Sequence, residues 1–140
     1  RIYKKYRRIV KTGSEILANT EDELLHVLRI ECKKLRYLME FFAGLFPRKK
    51  VKALIEQLKN LQDNLGDFND LCVQQEYLLK VSAELPASQR QLQKTLVAIG
   101  SLIDKLDHKK QSVKGAFART FTDFAAPENQ ALFRELFASK

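Results

Sequence analysis

Turn-making residues are scarce in this chain, with 5 glycines and 3 prolines spread over 140 residues. So few chain-reversing positions exclude an architecture of many short strands and leave room for a handful of long elements. No stretch alternates apolar and polar side chains with period two, and none is low in complexity. Long apolar runs are missing too: the longest, Phe41 to Phe46, falls far short of the roughly 20 residues that cross a bilayer, so no membrane span is expected. No secretory signal is visible. Cysteine is limited to Cys32 and Cys72, which form no CxxC pair and sit at apolar helical positions. They read as small core residues in a reducing compartment. Histidine is limited to His26 and His108, and no Cys or carboxylate cluster lies at ligand spacing, so no metal site is expected. There is no Gly-rich phosphate loop, no nucleophile with a base and no paired acid–base carboxylates. The chain is therefore expected not to be an enzyme, and no cofactor is implied.

Apolar residues make up 45% of the chain, enough for one globular helical domain over residues 1–140. The formal net charge is +8, which favours polyanionic partners such as nucleic acid, acidic membrane surfaces or polyphosphates. The chain opens at Arg1 already in helical periodicity, so it is expected to be a piece of a longer protein.

The apolar spacing predicts an antiparallel, all-α bundle of about five long helices plus short C-terminal ones. The first covers about Ile2 to Ala18, burying Ile2, Tyr6, Ile9, Gly13 and Ile16 and turning Lys4, Arg8 and Lys11 the other way. Arg1, Lys5 and Arg7 flank that stripe, and no acid precedes Glu15. Thr20 with Glu23 is a capping box opening a second helix that runs to about Leu45 and stops before Pro47. A third runs from about Lys49 to Leu65, with Gly66 as a left-handed C-terminal cap and Asp67 as the N-cap of a fourth, which ends near Glu84 before Pro86. Ser88 with Gln91 opens a fifth through Leu92, Leu96, Ile99, Ile103 and Leu106, in which Gly100 marks a close helix–helix contact. Gly115 interrupts that pattern, Ala116 to Phe124 is a short helix, and Pro127 opens a last one reaching about Phe137.

The most informative stretch is His26 to Phe42, HVLRIECKKLRYLMEFF. At about 100° per residue, His26, Arg29, Lys33, Arg36 and Tyr37 fall on one side of the second helix and Leu24, Leu28, Leu35, Met39 and Phe42 on the other. Three turns of positive charge pass before Glu40 answers them. This string resembles the CHAD family, the conserved histidine α-helical domain. The matching residues are His26, Leu28-Arg29, Lys33, Leu35-Arg36-Tyr37, Glu40 and Phe41-Phe42. A second signature of that family stands here as Leu61-Gln62, Leu65-Gly66 and Asn69-Asp70. The resemblance covers about residues 20 to 85. It implies a helical bundle of two similar halves around a positively charged cavity, linked to inorganic polyphosphate binding and in some members fused to triphosphate-tunnel domains. This chain carries one histidine-headed motif and looks like the second half of such a domain, so a homodimer or an upstream half is expected to complete the cavity.

Polyphosphate offers a repeated anionic charge and no base edge, so its receptor needs evenly spaced cationic donors. Lys33 and Arg29 supply charge-assisted hydrogen bonds, and Arg36 is expected to grip two phosphate oxygens. His26 is read as a phosphate donor or as a structural hydrogen bond to a neighbouring helix. Lys4, Arg8 and Lys11 are expected to face the same groove, against the plain alternative of solvated helix faces. Lys34, Lys49, Lys50, Lys105 and Lys109 form a second tier of candidates, with Arg48 and Lys52 beside Lys49 and Lys50, and Lys110 and Lys114 continuing the last cluster. Gln62, Asn69 and Asp70 are read as bonding loop backbone at a tight joint. The expected function is non-catalytic capture of inorganic polyphosphate, in the cytoplasm and at polyphosphate granules. The alternatives are a nucleic-acid-binding module, for which Tyr37 is the one obvious stacking residue in the basic face, and a structural or regulatory protein-interaction domain.

Overall fold

The computed structural model describes residues 1–18, 22–85 and 89–138, and all of its regular elements are helices. Helix α1 (Ile2–Ala18) buries Ile2, Tyr6, Ile9, Gly13 and Ile16, the face that the spacing predicts. Helix α2 (Asp22–Phe42) buries Leu25, Leu28, Cys32, Leu35 and Met39 at alternating steps of three and four. Leu24 and Phe42, expected on that face, lie at its edge and are only half-buried, because the stripe through Leu25 and Cys32 is the continuous one. Asp22 and Glu23 place negative charge in the first turn of α2, where the helix dipole favours it. Both capping boxes depend on residues outside the described ones. The end of α2 follows the proline rule: a 3₁₀ turn over Ala43–Leu45 leads to Phe46 in extended conformation, directly before Pro47.

Helix α3 (Arg48–Glu84) then runs unbroken for 37 residues. This corrects the expected cap at Gly66 and restart at Asp67: both are helical, and no glycine among the described residues has positive φ. An interior glycine costs about 1 kcal/mol relative to alanine, whereas each fully buried Leu or Phe contributes about 1.5–3 kcal/mol. Leu61, Leu65, Phe68 and Cys72 are all buried and lie three or four residues apart, so their packing carries the helix through Gly66. The joint expected to be bonded by Gln62, Asn69 and Asp70 does not exist. Helix α4 (Gln89–Phe124) likewise continues through Gly115, and the separate helix expected over Ala116–Phe124 is its final segment. Helix α5 (Pro127–Phe137) opens with proline in its first turn, as predicted. The described residues thus form four long α-helices and one short one.

The chain divides into two compact units, residues 1–66 with 116–140 and residues 67–115. In the first, the core faces of α1, α2 and the first part of α3 are buried, as are Phe117, Phe121 and Phe124 of α4 and Phe133 and Phe137 of α5. Tyr6 stacks on Phe133 with ring centroids 3.8 Å apart, meets Phe124 edge-on at 5.2 Å, and donates its hydroxyl to the Phe124 carbonyl at 3.1 Å. Phe121 lies against Gly13 so closely that a Cβ there would fall 2.0 Å from its Cε1. Gly100, expected to mark a close helix contact, has open space around it. In the second unit, residues 67–84 of α3 and the portion of α4 up to Gly115 bury Phe68, Cys72 and Ile99. Gln75 links the two helices, donating Nε2 to the Ile103 carbonyl at 3.1 Å while its Oε1 accepts from Lys110 Nζ at 3.0 Å.

Candidate functional site

The leading candidate cations of the first unit fall into two sets on different flanks of α2. One set belongs to α1. Because its apolar residues turn inward, Arg1, Lys4, Lys5, Arg7, Arg8 and Lys11 are left lining an open groove of about 1110 Å³ together with Tyr3 and Phe137. Among the described residues, no acidic side chain lines this groove. Tyr3 is held in place from both sides: Arg7 lies 5.9 Å above its ring, and Arg134 Nε donates to its hydroxyl at 3.3 Å.

The second set belongs to α2. Arg29 is half-buried and Lys33 exposed, with the Lys33 ammonium 5.9 Å from the ring centroid of Tyr37, itself 58% exposed. Arg36 donates Nε to Glu40 at 2.6 Å and Nη1 to Gln62 of α3 at 3.3 Å. It therefore spends two of its donors inside the protein, which corrects the expectation of a free two-point grip on phosphate and makes it a strut between α2 and α3. His26 is half-buried and engaged in contact with its surroundings.

These sets do not share one groove, contrary to expectation. Arg8 of α1 pairs with Glu31 of α2 at 3.5 Å, so Glu31 marks the α1 side of α2, while Arg36 marks the α3 side. The two positions are five residues apart, about 140° around the helix at about 100° per residue. What α1 and α2 do share is a smaller seam lined by Lys5, Arg8, Val27, Ile30, Glu31 and Lys34. Lys34, a second-tier candidate, thus sits nearer to the α1 cations than Arg29 or Arg36 does.

Among the described residues, no carboxylate forms an ion pair with Lys4, Lys11, Arg29 or Lys33. The remaining candidates lie elsewhere. Lys49 is exposed at the start of α3, and Lys50 is bound to Glu135 of α5 at 3.2 Å. Lys105 and Lys109 belong to the second unit, where they border a groove floored by Val73, Tyr77, Leu78, Leu102 and Leu106. His108 on the same groove donates Nδ1 to the Asp104 carbonyl at 2.8 Å; that bond, and the Asp104 carboxylate behind it, raise its pKa.

Sequence reasoning missed three participants. Glu31 neutralises Arg8, Gln62 anchors Arg36, and Phe137 lines the α1 groove from a position far along the chain. Only Glu31 carried a signal, as an acid between the basic residues Arg29 and Lys33.

Among the described residues, no group of three His, Cys, Asp or Glu side chains is placed to hold a metal ion, and no helix is long and apolar enough to cross a membrane. No curated protein matches the chain. The family model described as CHAD domain matches residues 1–79, which contain α1, α2 and most of α3, including both signatures and both cationic sets. That match spans more than half of the 140 residues, and the chain belongs to the CHAD family.

Proposed function

We propose that this chain captures inorganic polyphosphate without catalysing its turnover, through the α1 groove and the Arg29–Lys33 flank of α2. The observation that carries the reading is the set of cations without carboxylate partners: Lys4, Lys11, Arg29 and Lys33 stand at helical spacing on rigid elements. Mutual repulsion among such groups is relieved by a multivalent anion, and each contact is a charge-assisted hydrogen bond or ion pair to a phosphate oxygen. Family membership supports the same ligand. Nothing in the arrangement reads a base edge, which favours polyphosphate over sequence-specific nucleic acid. Placement in the cytoplasm at polyphosphate granules, and completion of the surface by an upstream half or a second copy, belong to the same proposal.

The test is calorimetric titration with long-chain polyphosphate at several salt concentrations, followed by competition with RNA. Four neutralised phosphates at about 0.7 each, the value for flexible single strands, predict a slope of log K on log salt near −3. Absence of binding, or affinity indifferent to salt, overturns the proposal, as does RNA displacing polyphosphate at equal charge concentration.

A further inference from the structure

The polyphosphate reading leaves open how long a chain the protein prefers, and the separation of the two cationic sets bears on this. Lys4 to Lys11 covers about 10 Å of the α1 axis at about 1.5 Å per residue, and Arg29 to Lys33 covers about 6 Å of α2. Passing from one set to the other means crossing the width of α2, a further 10–12 Å or so. The surface of α2 between them carries exposed apolar side chains: Val27, Ile30, Tyr37 and Phe41 are 39%, 51%, 58% and 80% exposed. A phosphate chain gains nothing along that ridge except where a cation interrupts it. Lys34 is the interruption. It lines the seam with Lys5 and Arg8 on the α1 side, and its neighbour in sequence, Lys33, turns toward the other flank. Among the described residues the seam's one acid is Glu31, which is engaged by Arg8, so the crossing remains net cationic.

Resting on the polyphosphate reading, we infer that the protein selects polyphosphate by length. Short oligophosphates occupy the α1 groove and the α2 flank one each, and only a chain long enough to cross at Lys34 binds both at once. Linking two modest sites through one ligand multiplies affinity by about 10²–10⁴ when the tether spans them, and adds nothing when it does not.

The experiment compares tripolyphosphate with long-chain polyphosphate by calorimetry at low ionic strength, using the wild-type chain, Lys34→Glu, and Lys4→Glu combined with Lys11→Glu. Wild type is expected to bind two tripolyphosphates per chain weakly, and long-chain polyphosphate more tightly by a factor of about 100 or more. Lys34→Glu should lower long-chain affinity at least about tenfold while changing tripolyphosphate affinity by less than about threefold, because only the bridged mode needs the crossing. The double variant should reduce tripolyphosphate stoichiometry from two to one and remove the long-chain advantage. Unchanged far-ultraviolet circular dichroism shows that each variant is folded. The inference is overturned if long-chain affinity rises only in proportion to the number of phosphates, or if Lys34→Glu weakens both ligands equally. Failure of long-chain polyphosphate to bind wild type instead overturns the polyphosphate reading itself.

Discussion

Gly13→Ala tests the packing beneath the basic helix, and two opposing effects determine its outcome. Alanine is the better helix former by about 1 kcal/mol, so an unobstructed substitution in mid-helix stabilises. At Gly13 the added methyl would stand 2.0, 2.3 and 2.5 Å from Cε1, Cζ and Cδ1 of Phe121. Those atoms belong to a buried ring stacked against Phe117 with centroids 5.6 Å apart, so the ring has little freedom to withdraw. Overpacking a core by one methyl costs about 1–3 kcal/mol, and clashes this deep place the cost at the upper end. The net expectation is a loss of about 1–2 kcal/mol after the helix-propensity gain. Gly66→Ala is the control: Gly66 is also interior to a helix, but nothing lies within 4 Å of the new methyl, and the expected change is a gain of about 0.5–1 kcal/mol. Urea unfolding followed by circular dichroism measures both, and the difference in midpoint gives the sign directly. Combining Gly13→Ala with Phe121→Leu closes the cycle, in which a coupling energy of about 1 kcal/mol or more is expected for touching residues. If Gly13→Ala stabilises as much as Gly66→Ala, the contact between α1 and α4 is not as described and the reasoning fails.

Two further outcomes are expected. Glu31→Gln releases Arg8 and removes the acid of the seam, so polyphosphate affinity should rise severalfold; stability should move by less than about 1 kcal/mol, because Arg8 is 76% exposed and such pairs are weak. A fall in affinity would show that Glu31 positions Arg8 for the ligand. Tyr6→Phe removes the buried hydroxyl bond to the Phe124 carbonyl, an expected loss of about 1 kcal/mol in chemical unfolding. Burial raises the Tyr6 pKa, so the folded state keeps its proton where the unfolded chain gives it up. The stability that this contributes is present below about pH 10, the ordinary tyrosine value, and is lost above it. Wild type should therefore lose more stability than Tyr6→Phe between pH 9 and about pH 11, and parallel losses would refute the assignment.

Helix positions were legible wherever one face carried an unbroken apolar stripe, as in α1 from Ile2 to Ile16 and in α3 from Val51 to Leu65. Pro47 and Pro127 marked boundaries correctly because proline's constraint is local. The glycines misled because their meaning is set by tertiary surroundings. Gly66 resembles a cap until Leu65 and Phe68 are seen buried on either side of it. The glycine that does meet a neighbour, Gly13, is identified by Phe121, 108 positions away in the chain. The same limit applies to the site. Residue type and spacing revealed which side chains are basic, but not that Arg8 finds Glu31 on another helix or that Arg36 finds Gln62. Those partners decide which cations remain available, and they exist only once the helices are packed.

The aromatic contacts of Tyr6 have a consequence for any shortened version of this protein. The segment matching the family ends at residue 79, yet the rings that cover Tyr6 and Gly13 come from Phe121, Phe124 and Phe133. A product cut at the end of the matched segment would keep every basic residue of α1 and lose the wall against which α1 lies. Its charges would then ride on a helix still seated against α2 but stripped of its aromatic cover. Loss of residues 121–138 would thus uncover one side of α1 without altering a single lysine or arginine of the first forty residues.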